Sequence, residues 1–165
     1  MPPVREFEGS HEGAGLRIAV IAARWNGFVV DRLVEGCINT LRQREVEEDC
    51  IHLIHVPGSF EITAAARWAA ESGHYDAVIC LGAVIRGETA HFEYVAGGAA
   101  DGMREVTLLT GVPVVFGVLT VDTIEQAIER AGTKAGNKGG EAAAAALEMV
   151  DLFARMDAEK PGSGS

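Results

Sequence analysis

Within six positions the chain places a cation, a glycine, an acid, a hydroxyl and an imidazole: Arg86, Gly87, Glu88, Thr89 and His91. A glycine-containing turn ahead of a helix presents free backbone N–H groups and the positive end of the helix dipole, and both favour an anion such as a phosphate. An imidazole in that turn could take up a proton and return it during a multistep condensation. The same residues also fit a plainer reading, in which Thr89 caps the helix and His91 is an ordinary first-turn residue.

Three other segments carry residue types that could serve chemistry. Trp25 and Asn26 stand in a turn, where an indole can plug a core or stack on a heteroaromatic ring. Gly58, Ser59 and Glu61 precede an alanine-rich helical stretch. Backbone N–H groups there could grip ligand oxygens, and Glu61 could accept from hydroxyls or amines. Equally, Ser59 is an ordinary N-cap and Glu61 an ordinary first-turn acid. Arg130, Lys134 and Lys138 gather beside glycines that permit close ligand approach, so they could clamp a phosphate. A cation at a helix C-terminus also offsets the dipole, which accounts for Arg130 without a ligand. His11, His52, His55 and His74 lie in a tail, a strand or a loop and read as structural or solvated.

These segments follow four short apolar runs, at residues 16–23, 50–56, 77–84 and 112–119. Each run is strand-like, and helical periods separate them: residues 28–41, a stretch from Ser59 to about residue 72, residues 91–110, residues 123–131 and residues 140–155. Ser59 is expected to cap the second helix. Strand and helix alternating in this way imply a three-layer α/β sandwich, a four-stranded parallel sheet flanked by helices. Ligands in such sheets bind beyond the carboxyl ends of the strands, where the strand order switches. The four chemistry-bearing segments sit at or beyond those ends.

Composition narrows the class. The 165 residues are 48% hydrophobic and 23% charged, as expected of one globular domain, with residues 1–15 as an arm, 16–157 as the domain and 158–165 as a flexible tail. A formal charge of −10 argues against nucleic acid as a partner, and the polar N-terminus and short apolar runs suggest neither a signal peptide nor a membrane span. Cys37, Cys50 and Cys80 lack C-x-x-C spacing and read as small buried hydrophobes in a cytoplasmic protein. Without a P-loop, a G-x-G-x-x-G fingerprint or a metal-ligand cluster, neither cofactor nor metal is expected.

In order along residues 16–155, the segments Arg24-Trp25-Asn26, Pro57-Gly58-Ser59-Phe60-Glu61-Ile62, 82–94 (GAVIRGETAHFEY), Phe116-Gly117-Val118-Leu119-Thr120 and Arg130-Ala131-Gly132-Thr133-Lys134 with Gly136-Asn137-Lys138-Gly139 resemble the 6,7-dimethyl-8-ribityllumazine synthase family. The resemblance implies a flavodoxin-like fold and a cofactor-independent transferase of riboflavin biosynthesis. That enzyme condenses 5-amino-6-ribitylaminopyrimidinedione with 3,4-dihydroxy-2-butanone 4-phosphate, releasing phosphate and water. It further implies that Trp25 stacks on the pyrimidine with Asn26 beside it, that Gly58, Ser59 and Glu61 meet the ribityl chain, and that Val84 and Ile85 line the ring pocket. By the same resemblance Gly87, Glu88 and Thr89 form the phosphate turn and His91 carries protons. Phe116, Arg130 and Lys138 would reach in from a neighbouring subunit, with Glu141 in a supporting role.

Family members form homopentamers, and in some of them twelve pentamers close into an icosahedral shell of 60 subunits. The N-terminal segment adds a strand to a neighbour's sheet. Two positions depart from the pattern: Thr63 stands where many relatives have proline, and Gly140 where they often have a bulkier residue. Neither removes a matched site residue. Two other classes remain compatible with the sequence, a shell or scaffold protein with an unused inherited site and a flavin-binding module. The intact His91, Arg130 and Lys138 favour the synthase, because passive ring binding needs no phosphate machinery.

Overall fold

Residues 18–23 form a strand with every side chain out of water, and the rest of the fold is arranged to keep them so. The structure is a computed structural model that describes residues 3–87, 91–132 and 136–159. In chain order the elements are β1 (Ile18–Ala23), α1 (Gly27–Gln43), β2 (Ile51–Val56), α2 (Ile62–Glu71), β3 (Ala77–Ile85), α3 (His91–Thr110), β4 (Val114–Val121), α4 (Ile124–Arg130) and α5 (Lys138–Ala158). One-turn 3-10 helices precede β2 (Glu48–Cys50) and α2 (Ser59–Glu61).

All strand pairings are parallel, in the order β2-β1-β3-β4. Val20 of β1 lies between Leu53 of β2 and Ile79 of β3. Because strand faces alternate, Ile18, Val20 and Ala22 join the core under α1, α4 and α5, whereas Ala19, Ile21 and Ala23 join the core under α2 and α3. The result is the three-layer α/β sandwich, in the flavodoxin-like strand order. Each fully buried Ile, Leu or Val contributes about 1.5–3 kcal/mol of transfer free energy. The chain leaves β1 toward β2 on one side and then returns to place β3 on the other. The order therefore switches between β1 and β3, and a crevice opens there at the carboxyl ends.

Several expectations change in detail. Ser59 does not cap α2: it is inside the 3-10 turn, only 6% exposed, and its side chain makes no cap hydrogen bond. A Cβ on Gly82 would come within 2.6 Å of its hydroxyl, so contact with β3 rather than helix capping fixes Ser59. The helix α5 begins at Lys138, two residues earlier than the periodicity suggests, because Asn137 caps it by accepting from Gly140 N at 3.1 Å. There a Cβ on Gly140 would come 3.0 Å from the Thr40 hydroxyl of α1. As an edge strand β2 is only partly covered, with His52, Leu53 and His55 exposed. Cys37 and Cys80 are buried, and burial pushes the Cys37 thiol up to about 12, but Cys50 is only half-buried.

The arm before β1 lies along its own chain. Ser10 donates its backbone N–H to Asp151 of α5 at 2.7 Å, and Gly13 donates to Arg44 O at 2.8 Å. A Cβ on Gly9 would collide with the Glu148 carbonyl, so the close approach needs glycine.

Candidate active site

The β1–α1 turn is built to turn Trp25 outward. Asn26 takes left-handed backbone angles (φ 61°, ψ 39°), and its carbonyl accepts from Val29 N and Val30 N to start α1. Its side-chain amide donates to Ala83 O at 2.8 Å, bridging the β1–β3 switch point. Backbone bonds from Arg24 N to Val56 O and from Trp25 N to Pro57 O tie the turn to the loop after β2. Trp25 is consequently 74% exposed, which excludes the role of core plug.

That indole forms one wall of a cleft. Its outer part, about 560 Å³, is bounded by Trp25, Pro57, Gly58, Ser59, Phe60, Glu61, His91, Tyr94 and Val95. A deeper part of about 150 Å³ runs between Asn26, Ala83, Val84, Ile85, Gly87 and Phe92, and shares Trp25, Ser59, His91 and Val95 with the outer part. Nine of the expected site residues, Trp25, Asn26, Gly58, Ser59, Glu61, Val84, Ile85, Gly87 and His91, meet in this cleft. Glu88 and Thr89 lie outside the described residues. His91 opens α3 and is exposed on the cleft wall, and Tyr94 and Val95 follow it at helical spacing on the same face.

Arg86 does not line the cleft. Its Nε donates to Asp122 at 2.8 Å, its backbone N–H to Val121 O at 2.8 Å, and its guanidinium lies 4.8 Å from the centre of the Phe92 ring. It fastens the end of β3 to the β4–α4 loop and to the first turn of α3.

A second cavity, about 380 Å³, lies against β4 and is lined by Phe116, Val118, Leu119, Thr120, Arg130, Lys138 and Glu141. It unites the three residues expected to come from a neighbour, and it shares no lining residue with the cleft. Thr123 and Gln126 form a reciprocal capping box that fixes the start of α4, at whose end Arg130 stands. Lys138 opens α5. Among the described residues neither cation has an ion-pair partner, so both charges remain available to an anion.

Phe60, Tyr94, Phe92 and Ala83 were not singled out from the sequence. Tyr94 is legible in the sequence, since a residue three beyond His91 on a helix shares its face. Phe60 gave no such sign, because nothing local distinguishes an exposed aromatic in a cleft from one at a core edge.

Among the described residues no helix is long and apolar enough to cross a membrane. A family model described as 6,7-dimethyl-8-ribityllumazine synthase matches residues 15–154, all of the sheet and nearly all of the helices. With an aromatic cleft at the β1–β3 switch point and a separate cationic cavity on β4, the chain belongs to the 6,7-dimethyl-8-ribityllumazine synthase family, which serves riboflavin biosynthesis.

Proposed function

We propose that the protein condenses 5-amino-6-ribitylaminopyrimidinedione with 3,4-dihydroxy-2-butanone 4-phosphate to give 6,7-dimethyl-8-ribityllumazine, phosphate and water. The observation that carries this reading is the pairing of an exposed indole and an exposed imidazole in one cleft. The pyrimidine stacks on Trp25, with Val84 and Ile85 beneath it and the Asn26 carbonyl oxygen of the side chain beside its polar edge. Gly58, Ser59 and Glu61 meet the ribityl hydroxyls. The substrate amine attacks the ketone, and loss of water leaves an imine. Phosphate then departs by elimination, and the resulting enol tautomerises to a ketone. The ribitylamino nitrogen adds to that carbonyl and closes the second ring with loss of a second water. Each stage needs a proton moved, and His91, on the cleft wall, is assigned that role. The family resemblance assigns Gly87, Glu88 and Thr89 to the substrate phosphate. Holding both substrates in reacting geometry can supply roughly 7–11 kcal/mol of the barrier reduction, so no cofactor is needed.

The cationic cavity belongs, on this reading, to a junction between copies. Phe116, Arg130 and Lys138 of one subunit complete the cleft of the next, with Arg130 gripping the phosphate bidentately. A head-to-tail contact of this kind closes by rotation into a ring, here a homopentamer, with a 60-subunit shell as a further assembly and the cytoplasm as its location.

Incubating the protein with both substrates and following lumazine fluorescence tests the reaction. Product formation that requires both substrates supports it; an intact assembly with no turnover overturns it. Mass photometry tests the ring, for which a monomer at working concentration would be fatal.

A further inference from the structure

Arg130 and Lys138 stand on different helices, the last residue of α4 and the first of α5, yet they line one cavity. What joins them is a single side chain. Asn137 donates one side-chain N–H to Arg32 O of α1 at 2.9 Å and to Ala131 O, next to Arg130, at 3.2 Å. Its side-chain oxygen accepts from Gly140 N in the first turn of α5 at 3.1 Å. The backbone of Asn137 also pairs with that of Ala131 in an isolated antiparallel bridge, which folds the chain back on itself between the two cations.

The surroundings are shaped around this carboxamide. A Cβ on Gly36 of α1 would collide with it, one on Gly139 would lie 3.0 Å from its oxygen, and one on Gly132 would lie 3.4 Å from its nitrogen. Gly132 and Gly136 turn the corners of the loop at φ 120° and 76°, where side chains are strained. Capping α5 requires only the oxygen, which serine or aspartate would also supply. The bonds from nitrogen to Arg32 and Ala131 are superfluous to a cap. They set where the end of α4 lies relative to α1 and to the start of α5.

The geometry points to Asn137 as a positioning residue that holds Arg130 and Lys138 in the relative placement that receives the substrate phosphate. This inference rests on the proposed reaction and on Arg130 as its phosphate ligand. Asn137 acts through those cations and touches no substrate itself.

The test is Asn137→Ser in the assembled protein, which keeps a capping oxygen and removes both donors. The KM for the phosphorylated ketone is expected to rise about tenfold, equivalent to one lost charge-assisted contact. The KM for the pyrimidine and the kcat should stay within about twofold. Inhibition by inorganic phosphate should weaken in parallel. In an Arg130→Ala background the same substitution should raise the ketone KM by much less than tenfold, because only the route through Lys138 remains.

An unchanged ketone KM, an equal rise for both substrates, or a full additional effect in the Arg130→Ala background would each overturn the proposal. If Arg130→Ala alone leaves the ketone KM unchanged, the phosphate assignment itself fails, which is a separate result. Should Asn137→Ser not assemble, Gly36→Ala displaces the carboxamide from the α1 side without deleting any hydrogen-bonding group. It should give the same selective rise, and an unchanged ketone KM there also overturns the inference.

Discussion

The Nε of Arg86 donates to Asp122 at 2.8 Å, so the loop that leads into α3 is fastened to the loop that leaves β4. Both side chains are more than half exposed, and an exposed pair of this kind is worth about 0.2–1 kcal/mol. The Phe92 ring beneath the guanidinium adds about 0.5–1 kcal/mol. Arg86→Met should therefore move the urea midpoint only slightly. Its effect on turnover should be larger, roughly fivefold, because the first turn of α3 carries His91 and small displacements are costly in rate. Parallel urea titrations and fluorescence assays check this; a rate that merely tracks stability contradicts it.

His91→Ala should slow turnover by roughly tenfold or more, the usual scale of a lost acid-base group. The imidazole is exposed, so its removal opens no cavity in the core and assembly should be unaffected. Stopped-flow product formation together with mass photometry reads both quantities. Unchanged turnover would remove His91 from the mechanism.

Gly117 lies opposite Leu81 in the β3–β4 register, where a Cβ would come within 2.7 Å of the Leu81 side chain and 2.8 Å of the Cys80 carbonyl oxygen. The carbonyl belongs to a central strand and has little freedom to move. Gly117→Ala should cost about 1–3 kcal/mol, the range for overpacking a tight interior, and chemical denaturation measures it. A neutral result would mean that β4 shifts as a unit.

Asp151 accepts from the Ser10 backbone N–H and from Arg155, and these bonds hold its carboxyl below the ordinary value of 3.8. A depressed folded value means the ionised form stabilises the folded contact. That contribution is present above 3.8 and is lost as the pH falls through the lower folded value. Acid should thus release the arm from α5 before the sheet opens. Amide exchange at residues 9–13 should accelerate on acidification, and Asp151→Asn should flatten that dependence. Equal behaviour of the variant and the parent would refute the tether.

Much of this arrangement is legible in the sequence. The run at residues 16–23 contains β1, and the period from His91 to Thr110 matches α3 at both ends despite Gly97, Gly98 and Gly102. These are local signals, repeated over enough residues to outweigh individual glycines. The positions of Trp25, Glu61 and His91 in one cleft followed from the rule that ligands gather at carboxyl ends of parallel strands. What local pattern does not carry is the meeting of distant segments. The capping role expected of Ser59 gives way because β3, at Gly82, lies against it. The start of α5 moves to Lys138 because α1 and Ala131 hold Asn137, and neither is adjacent in sequence.

The cleft with Trp25 and His91 and the cavity with Arg130 and Lys138 have no lining residue in common. Damage to one leaves the other whole, so under the proposed pairing of cleft and cavity between neighbouring subunits two differently crippled chains should repair each other. When chains carrying His91→Ala and chains carrying Arg130→Ala are mixed before assembly, random placement around a ring leaves about a quarter of the junctions with both halves intact. Blending the two variants after each has closed its own ring restores none.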